Sequence, residues 1–382
     1  MSDNIPVEVQ MNIVRRLPVK QLLQCRTVSK SWKAHIDTLH FTASYGVKVP
    51  NVPSLVLCYR QRYKGYMCFL DQNLSRTNVP TNLSYSDMIP VGYSHGVLGF
   101  SYGPIVSDFL AVVWNPSIRR SVTAYVPYAT QSQEFEKRLL AFGVRPDNLD
   151  PIFLKISYPF NPEGHEWSVL LFSFSSREWN TLETQFLPRQ SIRLKKASQC
   201  VVGGHIFWCG YEKFYSNDGS IYKNYMMVSF DLVTHRFQEL YIPDELLVNL
   251  PKPFFLSNLR DNIVLSGNII YDDFYVFVIW LITIAGGSIA SFQCLLNIPT
   301  PCKFKLIGFN ANNDPILEVQ NPEGFATTLG IHNIASGTFV SLGIEGDGGS
   351  FYIAPYCESA ILQTHVDRTD YGLRNLLLYG HV

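Results

Sequence analysis

Charged side chains are scarce in this sequence. Lys, Arg, Asp and Glu make up 16% of its 382 residues, against about a quarter in an ordinary soluble domain. Neither sign is in surplus, with 31 basic and 31 acidic residues. The scarcity excludes an intrinsically disordered, charge-driven chain. The balance argues against a highly basic nucleic-acid binder, because neutralising phosphates takes a surplus of Lys and Arg. The eight cysteines (Cys25, Cys58, Cys68, Cys200, Cys209, Cys294, Cys302 and Cys357) include no C-x-x-C and no Cys/His cluster. A zinc site is therefore not expected. MSDNIPVEVQ lacks the basic and apolar regions of a secretory signal, so an intracellular chain with reduced thiols is expected. In that compartment the triplets Asn73-Leu74-Ser75 and Asn82-Leu83-Ser84 have no meaning as glycosylation acceptors.

Catalytic constellations are also missing. There is no H-E-x-x-H, no G-x-S-x-G and no G-x-x-x-x-G-K-S/T. The nine histidines are scattered. His165-Glu166 reads as a turn after Gly164, and Gly346–Ser350 as a loop between strands that lacks the Lys and helix of a phosphate loop. Arg193, Lys195 and Lys196 read as a small solvated loop. No catalytic, cofactor-binding or metal-ligating residue is assigned.

From Phe274 to Cys302 there is no charge at all. Length alone admits a transmembrane helix. Gly286-Gly287-Ser288 interrupts the run, and β-branched and aromatic residues precede it, so two buried strands joined by a Gly-Gly turn fit better.

Aromatic residues, by contrast, are abundant at 14%, which favours strands. The first forty residues read differently. Val9, Ile13 and Leu17 recur every four residues and make one helical face apolar. Pro6 suits a first turn, and Pro18 breaks the pattern after Leu17. Val19, Leu22 and Leu23 open a second helix. Ser29 is placed to cap a third that carries Trp32 and Ile36. Three such helices have too little core to stand alone.

The ordered run Ile5-Pro6-x-Glu8-Val9, Ile13, Arg16-Leu17-Pro18-Val19-Lys20, Leu22-Leu23, Cys25-Arg26-x-Val28-Ser29-Lys30-Ser31-Trp32 resembles an F-box of the plant type. Ile5 stands where leucine is usual, and Gln24 where a basic residue is common. The resemblance implies docking to a Skp-type adaptor and through it to a cullin–RING ubiquitin ligase. It assigns adaptor contact to Ile5, Pro6, Val9, Ile13, Leu17, Pro18, Val19, Leu22, Leu23, Val28 and Trp32, some of which must instead hold the helices together. Residues 1–40 carry six basic side chains and three acidic ones, an excess of +3 that leaves −3 for the rest. Skp-type adaptors are acidic as a family, so this excess could speed encounter, and a solvated basic face explains it equally well.

Downstream, six segments share a plan of apolar strand, polar turn and return strand: Met67–Asn73, Val112–Ile118, Leu170–Trp179, Met227–Phe237, Val276–Phe292 and Thr327–Phe339. Taking Leu70, Trp114, Phe174, Phe230, Trp280 and Ile331 as equivalent points, the spacings are 44, 60, 56, 50 and 51. Return strands begin with Trp179, Phe237, Phe292 and Phe339, and Gly96–Phe100, His205–Tyr211, Ile263–Ile270 and Lys305–Phe309 read as preceding strands. A period near fifty built of short strands predicts a propeller of kelch-like size with about six blades, five or seven being open. A pair of β-sandwiches is the alternative. Strands covered on both faces would explain the near-continuous apolar runs and the low charge. Residues 41–60 are read as a blade-closing strand or a linker.

This part resembles the F-box-associated domain of plant F-box proteins. The resemblance rests on Trp114-Asn115-Pro116-Ser117-Ile118-Arg119-Arg120, Ala141-Phe142-Gly143-Val144-Arg145-Pro146-Asp147, Phe230-Asp231-Leu232 with Phe237, and Tyr356-x-Glu358-Ser359. The expected organisation is an F-box at 1–42 and a β domain at 43–382. The expected role is substrate recognition for an SCF-type ligase, in the cytoplasm or nucleus, with an unidentified target protein and no cofactor, nucleic acid or membrane. An oxidase-like enzyme on a propeller and a protein anchored through Phe274–Cys302 are the alternatives.

Overall fold

Alternate residues along the inner strands point to opposite neighbours, and both neighbours are apolar. Leu55 and Leu57 pack toward one adjoining sheet while Val56 and Cys58 pack toward the other, all four buried. Ala111 and Val113 divide from Val112 and Trp114 in the same way. The two-residue period of a strand is thereby hidden, because both faces are covered.

The computed structural model describes residues 5–45, 54–71, 73–78, 88–103, 109–127, 136–159, 167–216, 218–320 and 326–364. Six four-stranded antiparallel sheets form the blades of a β-propeller, preceded by the N-terminal helices. From the innermost strand outward, blade 2 is Met88–Ser94, Val97–Tyr102, Phe109–Asn115 and Arg120–Val126. Blade 3 is Glu136–Val144, Pro151–Pro159, Ser168–Ser173 and Glu178–Thr181. Blade 4 is Arg193–Val202, His205–Tyr215, Ile221–Asp231 and Phe237–Leu240. Blade 5 is Phe255–Leu259, Asn262–Ile270, Tyr275–Ala285 and Ser288–Thr300. Blade 6 is Phe304–Phe309, Pro315–Gln320, Ala326–Asn333 and Thr338–Asp347.

Blade 1 is made from both ends of the chain. Its innermost strand is Tyr352–Tyr356, followed outward by Ser54–Gln61, Lys64–Leu70 and Arg76–Asn78. Ser54 pairs with Tyr356 and Cys58 with Tyr352. Ring closure thus comes from the C-terminal side, and residues 54–61 supply the second strand of the closing blade. The loop expected at Gly346–Ser350 is shorter: Gly346 and Asp347 still belong to the last strand of blade 6, and only Gly348–Ser350 turn toward this closing strand.

Each gap between neighbouring blades is filled by its own apolar cluster. Ile156 meets Trp208 and Phe230 between blades 3 and 4. Met227 meets Leu265 and Ile282 between blades 4 and 5, and Ile279 meets Leu306 and Leu317 between blades 5 and 6. A blade cannot bury both faces alone, so the ring folds as a whole.

The six repeat segments read from the sequence all fall where the third strand of a blade turns into the fourth. Three of the four preceding strands are second strands, whereas Lys305–Phe309 belongs to a first. Two further expectations change. Arg193 and Lys195 lie on the innermost strand of blade 4, outside any loop. There Arg193 is buried with its guanidinium 5.1 Å from the Tyr158 ring centre. The uncharged stretch is a hairpin, but only Tyr275–Ala285 is substantially buried. Ser288–Thr300 is the exposed outer strand of blade 5, because no fifth strand covers it. Among the described residues no helix is long and apolar enough to cross a membrane. His165-Glu166 and Asn82-Leu83-Ser84 lie outside the described residues.

Candidate adaptor-docking site

The N-terminal module has helices α1 (Val7–Val14), α2 (Val19–Val28) and α3 (Lys30–Ile36), as the apolar spacing predicts, and a short α4 (Leu39–Ser44). Prolines start the first two. Pro6 and Pro18 sit just before α1 and α2, and their carbonyls accept from Gln10 and Leu22. Ser29 caps α3, its Oγ accepting from the Trp32 N–H at 3.1 Å.

Two apolar stripes run along α1, and the structure separates them. Met11 and Val14, with half-buried Val7, face inward against Val19, Leu22, Ile36, Phe41 and Tyr45. Val9 and Ile13 face outward, Ile13 56% exposed, and Ile5 is exposed just before the helix. Of the eleven residues assigned to adaptor contact, Val19 and Leu22 are buried in the module's own core. Leu17, Leu23 and Trp32 are half-buried, and Trp32 Nε1 donates to Gln10 Oε1 at 2.9 Å. Ile5, Pro6, Val9, Ile13, Pro18 and Val28 are exposed, Val28 by 69%. The inward stripe of Val7, Met11 and Val14 was readable at i, i+4, i+7 spacing. Phe41 and Tyr45 lay beyond the recognised motif.

The charges around this surface divide as well. Arg26 grips Asp37 through Nε and Nη2, the latter at 2.9 Å. Arg15 is held against the Phe41 ring and His40. Arg16, Lys20, Lys30 and Lys33 remain exposed and form the basic rim.

The module is fastened to the propeller through the segment that follows the closing strand. Ala360 and Ile118 join the helical core. Glu358 Oε2 accepts from the Val19 N–H at 2.9 Å and from the Tyr45 hydroxyl at 3.3 Å. Burial and the nearby carboxylate hold the Tyr45 phenol well above its usual range, so it remains a donor. Gln363 Nε2 donates to the Ile36 carbonyl at 2.9 Å. The same segment is clamped from below by the phrase that begins at Trp114. Asn115 is fully buried and donates through Nδ2 to the carbonyls of Ser359 and Ile361, at 2.9 and 2.7 Å. Arg120 donates to the Leu362 and Gln363 carbonyls. The motifs at 114–120 and 356–359, far apart in sequence, are one joint.

A cavity of about 630 Å³ runs along the axis, lined by innermost strands and by His95, Arg260 and Asn310 from their turns. Among the described residues no group of three or more His, Cys, Asp or Glu side chains is arranged to hold a metal ion.

Known families match both parts. The F-box domain family matches residues 2–44, and the F-box associated beta propeller domain family matches residues 105–305. The Arabidopsis thaliana F-box protein At1g47790 is 27% identical over 206 residues, covering 50% of this chain and 49% of that protein. At1g47730 from the same plant is 21% identical over 262 residues, covering 63% and 60%. The chain thus spans about half to three-fifths of the length of these relatives. Among solved structures, a polysaccharide lyase of the PL25 ulvan lyase family has a TM-score of 0.41 at 11% identity, covering 79% of this chain and 72% of that one. A likeness that loose carries no weight for chemistry.

Proposed function

The chain belongs to the family of plant F-box proteins with an F-box associated β-propeller, and we propose that it is the substrate-recognition subunit of an SCF-type ubiquitin ligase. The helical part at 1–42 docks a Skp-type adaptor, and the β part at 43–382 holds a target protein. It acts in the cytoplasm or nucleus and breaks no bond itself. It raises the effective concentration of target lysines near the conjugating enzyme that the cullin–RING assembly carries.

The observation that carries this reading is the outward stripe of α1. Val9 and Ile13, with Ile5 just before the helix and Pro18 and Val28 bounding α2, are exposed although the module has a complete core without them. Apolar residues in helical register that are left outside a finished core suit a partner's groove. The test is co-purification of the full chain with a Skp-type adaptor. Wild type retains the adaptor, and Val9→Asp/Ile13→Asp loses it while keeping its circular dichroism. Failure of the folded wild type to retain any adaptor overturns the reading.

A further inference from the structure

A propeller has two ends. In blades 2 to 6 the first strand ends where the second begins at one end, as the third ends and the fourth begins there, while the second strand ends and the third begins at the other. The F-box joint occupies the first end, through the Asn115–Arg119 turn and the segment after Tyr356. At about 3.3 Å per strand residue, the seven residues of Phe109–Asn115 set the opposite end roughly 20 Å away.

At that opposite end the second and third strands of blade 4 outrun their neighbours. The innermost strand pairs with them only as far as Tyr211, and the outer strand only as far as Met227. Beyond those points the strands pair only with each other, Glu212 with Asn224 through Tyr215 with Ile221. This ribbon projects from the ring. Phe214, Tyr215, Ile221 and Tyr222 on it are 51–67% exposed.

Direct partners in an antiparallel ribbon share a face, and residues two apart along a strand stay on that face. One face therefore carries three successive pairs: Tyr211 with Tyr225, Lys213 with Lys223, and Tyr215 with Ile221. Two lysines directly opposite repel each other. Lys223 Nζ lies 5.3 Å from the centre of the half-buried Tyr211 ring, and no carboxylate among the described residues pairs with either lysine. The ribbon's own acids are committed elsewhere. Glu212 pairs with Arg189 at 3.1 Å, and Asp218 accepts from the Ser220 N–H at 2.9 Å to hold the turn.

We propose that this face of the ribbon docks an extended, acidic segment of a partner protein. Its pattern is an acidic residue with an apolar one two positions away. The carboxylate would sit between Lys213 and Lys223 and relieve their repulsion. An apolar side chain two positions along would cover the exposed Tyr215–Ile221 pair, at the two-residue spacing an extended chain presents. Asp272 and Asp273, on the corresponding turn of blade 5, carry the opposite sign and confine the acidic segment to the ribbon. A nucleic acid is disfavoured, because two lysines on a chain of zero net charge do not make a phosphate track. The inference deepens the receptor reading and rests on it for the partner's role as a target.

The test uses the folded full chain and fluorescent decapeptides centred on Leu-Ser-Glu-Ser-Leu or on Leu-Ser-Lys-Ser-Leu, read by anisotropy at low salt. Wild type prefers the Glu peptide. Lys213→Glu/Lys223→Glu weakens it by about tenfold and reverses the preference, which loss of folding cannot produce. Phe214→Ser, on the other face, leaves the preference intact. Equal binding of both peptides by wild type, an unchanged preference in the charge swap, or tighter binding of a single-stranded oligothymidine overturns the proposal. Adaptor co-purification is scored on the same samples. Loss there with peptide preference intact removes the receptor reading alone.

Discussion

Glu358 reaches across from the propeller to the start of α2, its Oε2 accepting the Val19 N–H at 2.9 Å. That N–H is one of the first donors of the helix and has no partner within it. A carboxylate there also answers the helix dipole. A residue more than three hundred positions away thus completes the local structure of the F-box and sets its orientation on the ring.

Replacing Glu358 by Ala removes the acceptor of the Val19 N–H and leaves the Tyr45 hydroxyl with the Leu17 carbonyl, at 3.0 Å, as its acceptor. The expected loss is about 1–3 kcal/mol, concentrated at the joint. Amide hydrogen exchange checks it: protection falls in α2 and around Tyr45, while the blade 4 and blade 5 strands hold theirs. Glu358→Gln keeps an oxygen acceptor and loses less.

Asn115 is the clamp beneath that joint. Its Nδ2 satisfies two carbonyls, and its Oδ1 accepts from the Ser117 N–H at 2.9 Å. Asn115→Ala strands these groups in a buried site, at about 1–3 kcal/mol for a group left unsatisfied. Urea titration reads the loss. Asn115→Asp is worse than Ala, because it sets a carboxylate against two carbonyls in the interior.

Gly99 lets blades 2 and 3 close on each other. A Cβ there would lie 2.3 Å from Phe142 Cγ, and Phe142 is fully buried. Gly99→Ala is expected to cost about 1–3 kcal/mol by overpacking. The control is Gly308→Ala, whose Cβ would make ordinary 3.5 Å contact with Ile353. Thermal melts should show it neutral or slightly more stable, since Ala restricts the unfolded chain.

Burial pushes the thiols of Cys200 and Cys209, ordinarily at 9.0, and the Tyr158 phenol, ordinarily at 10.0, each up to about 12. Above the lower values the unfolded chain loses protons that the folded chain keeps. Stability is then unaffected below pH 9 and falls as pH rises toward 12. Melting temperatures measured across that window check the sign. In the same native protein the exposed Cys294 and Cys357 react with a thiol reagent before Cys200 and Cys209.

Much of this was legible along the chain. Pro6, Pro18 and Ser29 mark helix starts because their effects are confined to one turn. Gly286-Gly287 marks the hairpin because both residues adopt positive φ, 60° and 76°, which other residues resist. The six repeats were countable because each blade repeats the same turn between its third and fourth strands. Burial was harder to read. Ser288–Thr300 looks as apolar as Tyr275–Ala285, yet one is an edge and the other is covered. Arg193 and Lys195 looked solvated because charge alone does not reveal that a strand lies beside the axis.

The sequence by itself determined the helical module, the strand-rich repeat and their order, since these follow from local periodicity and turn chemistry. Only the tertiary structure decided which stripe of α1 is left outside, that Tyr352–Tyr356 closes the ring beside Ser54–Gln61, and that the phrases at 114–120 and 356–359 form one joint under the F-box. Those outcomes depend on contacts between residues hundreds of positions apart. Such contacts form only when every blade has a neighbour on both sides, so no local window of sequence carries them.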